Sequence, residues 1–342
     1  MQIPDGEHSI VELINKHYES KQDAPRPHMG VSQIGNPCER ALWYSFRWVA
    51  PEKFNGRILR LFRRGQLEEA TVVEDLRSIG CNVTNTAEHQ SRVDFGCHVS
   101  GSCDGIIRGG QGLGQKPHVL EIKTHGEKSF RLLVKDGVKK AKPLHWAQMQ
   151  CYMLGMDMER ALYYAVNKNT DEVYTERLEL DKDAAQRLVA RAQDIVTSER
   201  IPPPISEDAS WYECKMCAYH AQCHTKAPTT SVSCRTCAHS TPEPDSTWSC
   251  ELHQAGGIPV EFQRTGCDSH VLHPDMVPWP IDSDASTEFA AVYFVNGKPV
   301  KNGKAGPGVY ASAEILANPE ACASWDEYVL EMRAEFGAVV VG

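Results

Sequence analysis

The sequence predicts an α/β domain with a mixed sheet flanked by helices, followed by a cysteine-rich metal-binding knuckle and a small α+β tail. Three observations predict it. Between residues 36 and 200 apolar residues pass from helical spacing to strand-like runs and back, in the order helices, three strands, helix, two strands, helix, which implies a mixed sheet. Seven of the 13 cysteines fall between residues 211 and 273, too clustered for scattered core thiols. The last stretch, about 285–342, reads as a hairpin (Val292–Val300), helices and a short strand, Ala338–Val341.

In order, residues 1–30 form a leader, with a helix at Ile10–Tyr18 and a polar linker. Asn36-Pro37 opens a helix over 36–48, proline suiting the first turn, and Leu42, Trp43, Phe46 and Val49 line one face. A second helix runs from about Ile58 to Ile79, with Leu59, Phe62, Leu67, Ala70, Val73 and Leu76 at helical spacing and Gly80 stopping it. Residues 82–94, 97–108 and 117–124 read as strands separated by glycine turns. Residues 143–155 are a helix, Ala161–Asn167 and Glu172–Leu180 are strands, and Asp181–Arg200 is a helix ended by Ile201-Pro-Pro-Pro204. The expected organisation is a leader (1–30), a catalytic domain (31–225), a cysteine-rich module (226–275) and the tail (276–342).

Composition narrows the function classes. A chain of 342 residues can bury one full core with appendages. No run is apolar enough to span a membrane, and Met1–Ile10 is polar and acidic, unlike a signal peptide. The expected location is the cytoplasm. There thiols stay reduced, so clustered cysteines point to metal. A net charge of −9 argues against nonspecific nucleic-acid binding, yet the charge is uneven. Seven Lys and Arg face one acid (Glu52) between Arg40 and Arg64, and seven face two acids between Lys123 and Lys142. Arg60, Arg63, Arg64, Lys128 and Arg131 are the candidates to track a phosphate backbone. No P-loop motif is present, so any motor function belongs to a partner.

The chemistry concentrates in Gly101-Ser-Cys-Asp104-Gly and Leu120-Glu121-Ile122-Lys123-Thr124. Side chains alternate along a strand, so Glu121 and Lys123 share one face while Leu120 and Ile122 enter the core. Asp104 lies on the preceding strand. Two carboxylates and one amine around a point suit phosphodiester hydrolysis. Oxygen ligands hold Mg²⁺ or Mn²⁺, which polarises phosphate and acidifies water, and the lysine orients or deprotonates that water or stabilises the transition state. Gln148 and Tyr152 lie at i and i+4 on one helix face, and the segment His145-Trp-Ala-Gln148-Met-Gln-Cys-Tyr152 could dock a nucleotide by side-chain hydrogen bonds and stacking. Glu68 and Glu69 offer a third carboxylate. Read blandly, each of these is ordinary hairpin or helix surface.

In motif order, residues 31–225 resemble the RecB-like branch of the PD-(D/E)xK nucleases, the branch of the AddAB nuclease domain, CRISPR-associated adaptation nucleases and phage recombination exonucleases. The resemblance implies a restriction-endonuclease-like core. It places the family's helix motif on Gly65 to Glu69, its metal-binding Asp on Asp104, its (D/E)xK on Glu121 and Lys123, and its Q-x-x-x-Y on Gln148 and Tyr152. Metal would then be held by Glu69, Asp104, Glu121 and the Ile122 carbonyl. Many relatives have His where this chain has Glu69.

Cys214-x2-Cys217-x5-Cys223 follows the core, with Cys38 far upstream. Spacing alone leaves zinc and iron–sulfur open, and the remote-plus-three pattern is similar to the [4Fe–4S] staple in the iron–sulfur subset of this family. Cys234-x2-Cys237-x12-Cys250-x16-Cys267 reads as a separate zinc knuckle, with His239, His253 and His270 as alternative ligands. Cys81, Cys97, Cys103, Cys151 and Cys322 match no site. The expectation is a metal-dependent deoxyribonuclease, an exonuclease acting on single strands or duplex ends in phage-type recombination, replication or repair, with DNA and a recombination or replication protein as partners. The competing readings are a catalytically weak module that binds nucleic acid or a replication partner, and a redox protein built on the cluster.

Overall fold

The computed structural model of the chain describes residues 9–110, 112–324 and 326–342. The polar N-terminus read above, residues 1–8, lies outside the described residues. The chain forms two compact units, one comprising residues up to Asn36 and Glu52–Gln193, the other Pro37–Pro51 and Asp194–Gly342. The segment carrying Cys38 thus folds with the later cysteines, not with the strands that follow it.

The first unit opens with helix α1 (Ile10–Glu19) and strand β1 (Met29–Gly30); α2 (Glu39–Phe46) belongs to the second unit. Helix α3 (Gly56–Ser78) starts where the Asn55 side chain accepts from the Ile58 amide, satisfying a free donor of the first turn. Only its second half is buried on one face, through Val72, Val73 and Leu76. Its first half leaves Phe62 and Leu67 exposed. Gly80, at φ +86°, ends it in a conformation that favours glycine.

A five-stranded mixed sheet follows, in the order β2 (Cys81–Thr84), β5 (Gly105–Gly109), β6 (His118–His125), β7 (Arg160–Asn167), β8 (Val173–Glu179). Only β6 and β7 pair in parallel. Their crossover holds α4 (Glu127–Ala141) and α5 (Pro143–Gly155), the latter with proline in its first turn. Leu120 and Ile122 of β6 pack with Val72, Val73 and Leu76 of α3 and with Ile107, Leu162 and Val166. These residues form one hydrophobic core of this unit. Helix α6 (Lys182–Thr197) follows β8.

Two expected strands are broken in the fold. Residues 82–94 divide into β2 and β3 (Arg92–Asp94), and residues 97–108 into β4 (Val99–Ser102) and β5. β3 and β4 join β1 in a second small sheet, so the chain leaves one sheet for the other at Asn85–Ser91 and at Cys103–Asp104. Asn85 and Ala87 take positive φ at the first crossing, which no hydropathy pattern reveals. Helix α4 was not expected at all. Its stripe of Phe130, Leu133 and Val138 is interrupted by Gly137, where the helix kinks at φ 73° and the Val138 amide donates to Glu176 (2.8 Å).

In the second unit, α2 begins at Glu39, with Cys38 at the N-cap and Pro37 outside the helix. The short helices α7 (Tyr212–Lys215) and α8 (His220–His224) precede a two-stranded ribbon, β9 (Ser240–Pro242) and β10 (Trp248–Cys250), and helix α9 (Val260–Thr265). Arg235 is buried beneath this region. Its guanidinium lies 4.0 Å from the Trp48 ring centroid and donates to Gln263 Oε1 and the Phe46 carbonyl, so stacking and hydrogen bonds offset its desolvation. The tail is a three-stranded antiparallel sheet, β11 (Ile281–Thr287), β12 (Ala290–Val295) and β13 (Lys298–Gly303), with α10 (Ser312–Ala317), α11 (Pro319–Cys322) and α12 (Glu327–Phe336). The expected hairpin is β12–β13. The expected strand at Ala338–Val341 is absent, and that segment is held by the Val340 amide donating to Glu314.

Candidate active site

Strand β6 places Glu121 and Lys123 on the face opposite Leu120 and Ile122. The alternation does not carry the acid to solvent, because β6 is central and buried on both faces; Glu121 is 0% exposed. Asp104 occupies the break between β4 and β5. The β5–β6 ladder ends at Gly105 and Leu120, and beyond it the Asp104 carboxylate takes over, accepting the Ile122 amide at 2.8 Å. The departing strand thereby exchanges a backbone acceptor for a carboxylate aimed at the neighbouring strand. The Lys123 ammonium pairs with Glu121 Oε1, lies 3.7 Å from Asp104 Oδ2, and donates to the Ile122 carbonyl at 3.2 Å.

Glu69, half-buried on α3, adds a third acid. Burial first and Asp104 second push its carboxyl up to about 7, while Lys123 pulls it down. Glu68 interacts instead with Tyr164, so of the two adjacent acids Glu69 is the one that faces Asp104 and Lys123. Burial, and then Asp104, push Glu121 up to about 8. Burial opposes the charge on Lys123, but the surrounding carboxylates win and raise its affinity for a proton. Three carboxylates therefore converge on one ammonium, and Glu121 Oε2 has no hydrogen-bond partner among the described residues.

Gln148 and Tyr152 share a face of α5, as expected, but both are buried. Gln148 Nε2 donates to the Tyr152 hydroxyl (3.3 Å), which donates to the Ser102 carbonyl (2.6 Å). Stacking of a base on Tyr152 is therefore ruled out by its burial; the pair grips the chain two residues before Asp104. Gly101 permits this, since a Cβ there would lie 2.8 Å from Val31 and 3.2 Å from the Tyr152 hydroxyl. Cys103 is buried, its Sγ directed to the Gly105 carbonyl and Met156.

Sequence reasoning missed a second polar layer. His125 is the next residue on the Glu121–Lys123 face of β6. Its Nε2 lies 2.8 Å from the Tyr163 hydroxyl, which lies 2.8 Å from His145 Nδ1. His145 shares the α5 face of Gln148 and Tyr152. Burial and the neighbouring lysines lower His125 to about 4 and His145 to about 3. The period-two continuation Glu121-x-Lys123-x-His125 was the available signal.

Of the basic candidates, Arg63 donates to the Tyr18 hydroxyl, Arg64 to the Lys168 carbonyl, and Arg131 pairs with Glu127. Arg63, Arg64, Lys128 and Arg131 are exposed and Arg60 half-buried.

In the second unit, Cys38, Cys214, Cys217 and Cys223 line one small pocket with Arg40, Tyr44 and His224. Burial and the other three thiols raise the Cys214 thiol, and Arg40 Nη1 lies 3.5 Å from Cys223 Sγ. Burial, followed by Cys267 and Cys250, raises Cys234 to about 11. Cys237 is likewise raised to about 11, chiefly by burial. His253 Nε2 is 3.6 Å from Cys267 Sγ. His270 is spent elsewhere: Nδ1 meets Ser312 Oγ at 2.8 Å and Nε2 the Ser233 carbonyl at 3.0 Å, so it is not an alternative ligand. None of the 13 cysteines is in a disulfide. Among the described residues, no three His, Cys, Asp or Glu side chains are gathered tightly enough to hold a metal ion. Cys81, Cys103, Cys151 and Cys322 are buried thiols and Cys97 is half-buried.

The sequence profile of the PD-(D/E)XK nuclease superfamily matches residues 12–224. No curated protein matches the chain. Among solved structures, the protein SSO0001 is 19% identical over 64% of this chain and 97% of its own, with a TM-score of 0.40. An alkaline exonuclease from Laribacter hongkongensis is 16% identical over 53% of this chain and 90% of its own, TM-score 0.37. A phage-related exonuclease from Haemophilus somnus 129PT is 18% identical over 38% and 67%, TM-score 0.27.

Proposed function

The chain belongs to the PD-(D/E)XK nuclease superfamily, and on that premise we propose that it is a Mg²⁺- or Mn²⁺-dependent deoxyribonuclease, an exonuclease acting on single strands or duplex ends. One observation carries the reading: two carboxylates pair with a single ammonium and a third acts on it electrostatically, with one buried Glu121 oxygen unpartnered among the described residues. Excess negative charge out of water is costly, and a divalent cation removes that cost. Glu69, Asp104, Glu121 and the Ile122 carbonyl are hard oxygen donors of the kind such an ion takes, and they would have to draw closer together to hold it. When bound, the ion polarises the phosphodiester and acidifies water.

The chain's residues supply the rest. Asp104 is fixed by the Ile122 amide. Lys123 is held cationic among acids, so it orients the attacking water and stabilises charge on the phosphorane-like transition state; acting as a base would require the acids first to be engaged by metal. Gln148 and Tyr152 position the Asp104 turn. Gly65, one turn before Glu69, leaves open space, since a Cβ there would meet nothing within 4 Å, and substrate can approach along this face of α3. Lys128, Arg60, Arg63, Arg64 and Arg131 guide the strand.

A [4Fe–4S] cluster on Cys38, Cys214, Cys217 and Cys223 would make the chain a RecB-like nuclease of the iron–sulfur subset. Four thiols lining one cavity suit it. Zinc on Cys234, Cys237, Cys250 and Cys267 would close the knuckle, and binding would contribute folding energy to a segment with little core. The same reading places the enzyme in the cytoplasm in phage-type recombination, replication or repair beside a partner protein. No described helix is long and apolar enough to cross a membrane.

The test uses labelled single- and double-stranded DNA with Mg²⁺ or Mn²⁺. Cutting that is lost both with EDTA and in Glu121→Ala supports the reading. Tight DNA binding without cutting supports the module that only binds. Iron, sulfide and zinc analysis of anaerobically purified protein tests the cysteine sites: brown colour lost in Cys217→Ser supports the cluster, and a colourless zinc-only protein refutes it.

A further inference from the structure

The polar layer behind Lys123 can carry its donors in a single direction. The Lys142 ammonium can only donate, and it donates to Ser129 Oγ. Ser129 Oγ lies 3.4 Å from His125 Nδ1. If the hydroxyl passes its proton on, His125 accepts at Nδ1 and carries its own proton on Nε2. That proton goes to the Tyr163 oxygen, and the Tyr163 hydroxyl donates to His145 Nδ1, both at 2.8 Å. Every donor then points the same way, and His145 is left with its proton on Nε2. His125 and Tyr163 are buried, whereas His145 is half-buried. Tyr163 is its only hydrogen-bond partner among the described residues.

We propose that His145 is a substrate-contacting residue whose Nε2–H donates to a non-bridging oxygen of a nucleic-acid phosphodiester, in a tautomer set by the chain Lys142–Ser129–His125–Tyr163. The proposal rests on the nuclease reading above. Three features agree with it. His145 lies on the α5 face that carries Gln148 and Tyr152 to the active site. Lys123 is near enough to act on its ring electrostatically, as Lys123, Lys142 and Lys168 act on His125, so the surroundings favour an anion. A neutral imidazole of fixed tautomer is a donor that loses little freedom on binding, unlike a flexible surface lysine.

Two substitutions separate this role from a structural one. A glutamine amide reaches about where Nε2 stands, and an asparagine amide about where Nδ1 stands. If His145 serves substrate, His145→Gln keeps oligonucleotide affinity near wild type, while His145→Asn, which can keep only the Tyr163 contact, weakens it about tenfold, as does His145→Ala. Affinity is read by fluorescence anisotropy of a labelled single strand with Ca²⁺ in place of Mg²⁺ or Mn²⁺, so that the metal sites stay filled while cutting does not intervene. Nitrogen-15 NMR of the imidazoles is expected to show both His125 and His145 neutral with the proton on Nε2 at pH 7. Asparagine rescuing better than glutamine, all three variants binding like wild type, or an Nδ1–H tautomer at His145 overturns the proposal. A wild-type protein that binds no oligonucleotide overturns the nuclease reading and this inference with it.

Discussion

Metal binding should compete with protons at this site, and the size of the effect follows from the two perturbed acids. Burial and neighbouring carboxylates hold Glu121 up to about 8 and Glu69 up to about 7 in the metal-free protein. Both therefore carry protons at pH 6, and both are largely ionised above pH 8. A cation binding at pH 6 must displace up to two protons, and at pH 8 less than one. Between these values apparent Mn²⁺ affinity should rise by roughly 10²-fold or more, about 3 kcal/mol. The sign for stability is opposite. Carboxyls whose folded pKa lies above the unfolded value stabilise the metal-free fold fully below the unfolded carboxylate range, and that contribution is lost as pH rises through about 7 and 8. The metal-free protein should thus weaken over the same interval in which its metal affinity grows. Calorimetric Mn²⁺ titrations at pH 6, 7 and 8, in two buffers of different protonation enthalpy, count the protons released. The difference from Glu121→Gln isolates this site from the cysteines. An affinity independent of pH, or binding without proton release at pH 6, would refute the reasoning.

Lys123→Met should destabilise the metal-free protein by about 3 kcal/mol at pH 9, where Glu121 is left an unpaired buried carboxylate, and much less at pH 6, where it is protonated; equal losses in thermal melts at both values would contradict this. Tyr152→Phe removes the hydrogen bond to the Ser102 carbonyl and should cost about 1–3 kcal/mol in urea unfolding, lowering turnover more than substrate affinity. Glu314→Gln breaks the buried pair with Arg333, whose side chains are 6% and 5% exposed, and should cost about 3–5 kcal/mol while cutting at equal folded concentration stays unchanged. A loss of specific activity there would contradict this independence of tail and active site.

Much of the catalytic strand was legible because alternation is local. Glu121 and Lys123 share a face of β6 for the same reason that Leu120 and Ile122 enter the core, and His125 continues the series. The burial of Glu121 was not legible, because it depends on β6 being a central strand covered on both sides, and coverage is a property of the whole sheet. Asp104 was located by its neighbours in sequence, but its role in capping the Ile122 amide arises from the chain changing sheets at Cys103–Asp104, which leaves no mark in hydropathy. Tyr152 read as a stacking surface because aromatic residues on a helix beside an active site often serve so, and only packing against Ser102 and Gly101 shows its hydroxyl engaged. Helix α4 escaped because Gly137 interrupts its apolar stripe and its many lysines read as a charge run. The grouping of Cys38 with Cys214, Cys217 and Cys223 was suggested by resemblance alone; the segment Pro37–Pro51 folding with residues after Asp194 supplies the physical route.

Hydrolysis at this site requires that the acids around Lys123 take up a divalent ion. Anomalous diffraction from crystals grown with Mn²⁺ at pH 8 asks this directly. The expected result is a peak about 2.0–2.3 Å from carboxylate oxygens of Asp104 and Glu121 and from the Ile122 carbonyl, with Lys123 displaced from Glu121. No peak there at saturating Mn²⁺, with the Lys123–Glu121 pair intact, would contradict it.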